Sequence, residues 1–158
     1  MIYLRDIQRG ITDHFPLRVS EWVMVYPTLG MWIAFQLQPN MFDAGKSFTT
    51  VAGWAEEQTW AYICLFVALT RLTALSVNGT FKGFPFSPHM RAAASLAGVV
   101  FWSQFSLGFL VEFLFGAGIV TAFVAYSSFC LLELVNVYRS WSDIASVHKG
   151  ARDGLGDG

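Results

Sequence analysis

Three polar side chains interrupt long apolar runs of this chain, and their positions give them a common depth. Arg71 lies about two helical turns before Asn78, and Glu133 lies about a turn and a half before Tyr138. Asn136 follows Glu133 by one turn on the same helix face. Ionisable groups inside a bilayer are costly and face other helices or water. Equal depth therefore makes Arg71 and Glu133 a candidate ion pair, with Asn136 as a hydrogen-bond partner. Such a pair can fix how two helices dock, or serve the passage of protons or ions. Alternatively, each group can snorkel separately to the interface. A second pattern joins Ala97, Phe101, Gln104, Gly108 and Glu112, spaced so that all five share one face of a helix. Small and polar residues at that period favour close helix contact and interhelical hydrogen bonds. The readings open for this stripe are packing within the chain, an oligomer face and the wall of a wet pore; Glu112, near the outer end, can simply reach water. Glu21 stands at the edge of the first apolar run, close to Arg18.

Other chemistry finds little support. His14, His89 and His148 all fall outside the apolar runs, whereas haem in a helical bundle needs ligands on the facing helices. Cys64 and Cys130 sit at different predicted depths and form no CxxC, so they read as small core hydrophobes. No HExxH, GxSxG or phosphate-binding glycine motif occurs. The expectation is a non-enzymatic protein with no cofactor and no metal.

The elements that must position these residues are membrane spans. Of the 158 residues, 54% are hydrophobic, 16% aromatic and only 13% charged, where soluble domains carry about 25% charged residues. Four apolar stretches approach or exceed the length of about 20 residues that crosses a bilayer as a helix: about 17–37, 59–77, 92–115 and 117–138. The predicted fold is all-α, a polytopic four-helix bundle in one membrane domain covering 1–158. Residues 38–56 make the longest connection. In the connection 78–90, Phe81, Phe84 and Phe86 are expected to dip into the interface. The run Phe115-Gly116-Ala117-Gly118 predicts a tight hairpin between antiparallel neighbours. Ahead of the first span, Leu4, Ile7, Ile11 and Phe15 recur at helical spacing among polar residues, which predicts a short amphipathic helix over 2–15 lying on the membrane surface. It serves either as a docking helix or as a lead-in packed on its own bundle. Residues 142–158 read as a flexible cytoplasmic tail.

Basic residues orient the spans. Arg5, Arg9, Arg18, Lys82, Arg91, Arg139, Lys149 and Arg152 fall on one side and Lys46 alone on the other, with Arg71 inside a span. The positive-inside rule then places both termini in the cytoplasm. Trp22 and Trp141 are expected to mark the inner interface, and Trp54 and Trp60 the outer one. A formal net charge of −1 argues against a nucleic-acid partner. The expected partners are the lipid bilayer, further copies of the chain or other membrane subunits.

From the second span onward the sequence also carries a resemblance. The segments Arg71-Leu72, Ala74-Leu75-Ser76-Val77-Asn78-Gly79, Pro88-His89-Met90-Arg91-Ala92, Phe101-Trp102-Ser103-Gln104, Leu107-Gly108 and Asn136-Val137-Tyr138-Arg139 resemble small four-span proteins of tailed phages and prophages of proteobacteria. Proteins of this kind are often holin-like. The resemblance thus implies a bacterial inner-membrane protein that oligomerises and permeabilises the membrane. The alternatives are an accessory subunit of a larger membrane complex and a small ion or proton transporter using Arg71, Glu133 and Glu112.

Overall fold

Proline decides where the first apolar stretch departs from one continuous helix. Pro27 has no N–H for the carbonyl of Val23 and its ring crowds that carbonyl, and the helix breaks there. α1 spans Val19–Val23 and α2 spans Val25–Leu37, joined at Met24. The Thr28 hydroxyl donates to the Met24 carbonyl at 2.6 Å. The expected single span over 17–37 is therefore two consecutive helices, neither long enough to cross a bilayer alone.

The computed structural model describes residues 15–16, 18–80, 86–116 and 118–153, with backbone only for 78–80 and 147–153. Among these residues all regular structure is helical. The expected amphipathic helix over 2–15 lies outside them apart from Phe15, as do Phe81 and Phe84; Phe86 is exposed. Three helices are long and apolar enough to span a membrane. α4 runs Glu57–Thr80, α5 Ser87–Phe115 and α6 Val120–Asp153; the short α3, Thr49–Trp54, lies in the connection ahead of α4. α5 begins five residues before the predicted boundary at 92. Pro88 sits in its first turn, where a missing N–H costs no helical hydrogen bond.

α5 is the central helix, packed against α4 on one side and along α6 on the other. The turn between α5 and α6 is as tight as the glycines predict. The N–H groups of Gly116 and Gly118 both donate to the Glu112 carbonyl, at 3.0 and 2.9 Å. A Cβ on Gly118 would lie 2.7 Å from the Glu112 carbonyl carbon, so only glycine fits. α6 does not end in a flexible tail from 142. It stays helical through Asp153, and Asp143 is held by contacts described below. Residues 154–158 lie outside the described residues.

The core is aromatic. Trp60 of α4 meets Phe101 and Phe105 of α5, at centroid distances of 6.1 and 4.9 Å. Phe109 stacks on Tyr126 of α6 at 4.9 Å with the rings 2° from parallel, and Trp102 meets Phe129 at 4.9 Å. Offset and edge-on aromatic pairs of this kind add about 0.5–1.5 kcal/mol each beyond their buried area.

The connection 38–56 folds back onto this core. Asn40 takes a left-handed conformation (φ 73°), which asparagine tolerates better than most residues. A 3-10 turn, Lys46–Phe48, then leads into the short helix α3, Thr49–Trp54. The Glu57 carboxylate accepts the backbone N–H groups of Met41 and Phe42, each at 3.2 Å. Phe42 stacks on Phe48, which meets Phe109 edge-on. Val51 is fully buried against α5 at Gly108.

That contact bears on one member of the sequence stripe. A side chain at Gly108 would run into Val51, so this glycine serves packing within the chain. Gly108→Leu is expected to lower the thermal unfolding temperature in detergent, at an overpacking cost of about 1–3 kcal/mol, while leaving any self-association intact. Loss of self-association in a variant of unchanged stability would contradict this assignment.

Candidate functional site

Ten polar or charged residues of the described chain are buried, and six of them gather at one end of the helices: Glu21, Arg71, Arg91, Glu133, Asn136 and Ser140. α4 brings Arg71, α5 brings Arg91, α6 brings Glu133 and Asn136, and α1 brings Glu21 and Ser20. The two residues expected to pair do meet. Arg71 Nη2 donates to both oxygens of Glu133 at 2.5 Å, with both side chains almost wholly buried. Asn136 Nδ2 adds a longer donation to Glu133 at 3.4 Å. Arg71 also reaches the backbone carbonyls of Glu21 and Ala94, each at 3.5 Å.

A second pair was not read from the sequence. Arg91 holds Glu21 side-on, with Nε at 2.8 Å from Oε2 and Nη2 at 2.5 Å from Oε1. Two parallel donations from a guanidinium fork are the strong form of this contact. Arg91 Nη1 also donates to Asp143 at 2.8 Å, and Arg18 donates to the same carboxylate oxygen at 3.0 Å. The circuit closes through Ser20, whose hydroxyl donates to Asn136 Oδ1 at 2.6 Å and accepts from Arg139 at 3.1 Å. A path thus runs from Asn136 through Glu133 and Arg71 to α1 and back through Ser20. It ties α1, α4 and α6 together, and Arg91 adds α5.

Burial of an ion pair is compensated only when geometry is good and the remaining donors and lone pairs are satisfied. This network meets much of that condition by supplying each carboxylate with more than one donor. Gly98 makes room for it. A Cβ on Gly98 would lie 2.6 Å from the Glu133 carboxyl carbon and 3.1 Å from Arg71 Nη2. The signal for this residue was the pair of small residues Ala94 and Gly98 one turn apart on α5. The signal for Arg91 and Glu21 was weaker, because Glu21 stood at the edge of an apolar run and Arg91 just ahead of one, where it counts among the loop charges.

The α5 stripe divides. Phe101 and Gly108 face the interior, and Glu112 accepts a hydrogen bond from Thr50 of α3 at 2.6 Å. Ala97 and Gln104 instead line a groove between α4 and α5. At 100° per residue the five positions lie along the border between the buried and outer faces of α5, so the stripe is one face without being one interface. Glu112 lies at the opposite end from Arg71 and Glu133, and the three do not form one site.

The fold and the buried network define a helical protein with the features of a membrane protein. No family model, curated protein or solved structure matches the chain.

Proposed function

We propose that this chain is a non-enzymatic integral protein of the bacterial inner membrane that crosses the bilayer four times and self-associates there. The observation that carries this reading is that the buried carboxylates Glu21 and Glu133 are each engaged by arginine within the chain. The charged cluster is thereby occupied in holding helices together, and the surfaces left for function are apolar faces. Residues 19–37, taken end to end, cover about 28 Å at 1.5 Å per residue, close to the thickness of a hydrocarbon core of about 30 Å. Arg18, Arg71, Arg91 and Arg139 gather at one end, which the positive-inside rule makes cytoplasmic. Trp141 at that end and Trp54 at the other are both exposed, as interfacial tryptophans are.

In its sharpest form, association permeabilises the membrane, as the resemblance to holin-like phage proteins implies. The test is controlled expression in a bacterium with membrane potential followed over time; the expected result is depolarisation as the protein accumulates. Unchanged potential together with crosslinking between copies would remove permeabilisation and leave assembly. A second reading, an accessory subunit of a larger complex, is favoured by α6. Only 11% of its most apolar stretch is buried, against 44% for α4 and α5. Copurification of a stoichiometric membrane partner would move that reading first. Topology has its own check. Reporter fusions at residue 45 and after α6 are expected to read opposite sides, with the C-terminal fusion cytoplasmic; an external C-terminal reading contradicts the four-span arrangement.

A further inference from the structure

Polar contacts hold α1 to the rest of the chain. Glu21 is the one residue of α1 that is buried, while Val19 is 40% and Val23 52% exposed. Arg91 of α5 grips the Glu21 carboxylate, Ser20 sits between Asn136 and Arg139 of α6, and Arg18, just ahead of α1, reaches Asp143. As a set, such contacts exchange for contacts with water at small net cost. α2, by contrast, is fixed by burial of Val25 and Phe35, which water does not replace. Pro27 supplies a pivot between the two. It removes one of the backbone hydrogen bonds that would tie α1 to α2, at the break marked by Met24. Three of the five buried side-chain polar atoms that have no partner among the described residues lie at α1: Arg18 Nε, Arg71 Nε and Ser140 Oγ. Arg71 reaches the Glu21 carbonyl. Ser140 is wholly buried and stands on α6 among Asn136, Arg139 and Asp143, the residues that Ser20 and Arg18 contact. Buried polar groups left unpaired raise the energy of the arrangement that buries them. Water would pair with all three.

We propose that α1 is a hinged cap on the charged cluster, swinging about Met24 between the closed position of this structure and an open one in which water reaches Arg71, Glu133 and Ser140. The access of water to the cluster is then set by α1 alone, while α4, α5 and α6 stay packed. Local opening of this kind is drawn from the parts of a fold with the least apolar burial. The proposal is independent of self-association and of which side of the membrane this end faces.

The test is the rate at which a charged, water-soluble maleimide alkylates a reporter cysteine in the full chain in mild detergent. The reporter is Ser140→Cys, with Cys64 and Cys130 replaced by alanine. Native Cys64, fully buried in the aromatic core, is the control in a chain carrying only Cys130→Ala. Glu21→Gln weakens the hold on α1 and leaves Arg91 paired with Asp143. It is expected to speed alkylation of Ser140→Cys about tenfold, the loss of one charge-assisted contact, and to leave Cys64 as it was. Unchanged alkylation of Ser140→Cys would overturn the cap. Faster alkylation of both cysteines would also overturn it, because α1 would then belong to the cooperative core. Spin labels locate the pivot. In the chain without native cysteines, the distance from Val19→Cys to Leu131→Cys, both exposed positions, is expected to lengthen and broaden with Glu21→Gln. The distance from Tyr26→Cys to Leu131→Cys is expected to stay fixed. Equal movement at both positions would place the motion elsewhere than Met24 and overturn the hinge.

Discussion

Arg71→Met is expected to destabilise the protein by about 3–5 kcal/mol, the cost of leaving a buried charge without its partner. The stranded group is the Glu133 carboxylate, which is fully buried and would keep only the longer donation from Asn136. Glu133→Gln is expected to cost a comparable amount, because it leaves the buried Arg71 guanidinium, which cannot shed its charge, with only a neutral acceptor. Replacing both residues by apolar side chains, Arg71→Met with Glu133→Leu, is expected to restore most of the loss, since well-packed apolar substitutes for a buried pair are often neutral or better. Thermal unfolding in detergent reads all of these. With Glu133→Leu alone completing the cycle, a double variant whose loss equals the sum of the Arg71→Met and Glu133→Leu losses would show that the two residues do not interact.

Gly98 is expected to be nearly as sensitive, although it carries no side chain. Gly98→Leu drives atoms into the space of Glu133 and Arg71. It combines overpacking of about 1–3 kcal/mol with disruption of the ion pair. Gly98→Ala is expected to be milder, because alanine recovers up to about 1 kcal/mol of helix propensity over glycine. The diagnostic comparison places Gly98→Ala in a Glu133→Ala background. There the carboxyl group nearest the new methyl is gone, and the penalty is expected to vanish. An equal penalty in both backgrounds would mean that Gly98 is needed for something other than room for the pair.

The parts of this architecture legible in the sequence are those set by periodicity and depth. Arg71 and Glu133 could be matched because each lay inside an apolar run at a measurable distance from its end. The pairing of Glu21 with Arg91 was hidden because α5 starts five residues before its apolar stretch does. Arg91 then belongs to the helix and is buried, where the sequence counts it as a loop charge. The break at Met24 was written in Pro27, but hydropathy averages over it. The inward fold of residues 38–56 left no local pattern. It depends on Gly108, 57 residues beyond Val51 in sequence, leaving space for that side chain. The α5 stripe was read as one surface because its residues share a helix face. Which side of that face is covered is decided by where α3 and α4 pack, which the period of α5 does not encode.

The central claim is that the buried charges are a clasp between helices, with function residing in the outer faces. The most direct measurement is proton uptake by proteoliposomes under an imposed potassium diffusion potential, comparing the native chain with the Arg71→Met/Glu133→Leu double variant. The expected result is the same uptake for both, whatever its level, with the double variant still folded. Uptake by the native chain that disappears in a folded double variant would contradict the claim and make the Arg71–Glu133 pair part of a conduction path.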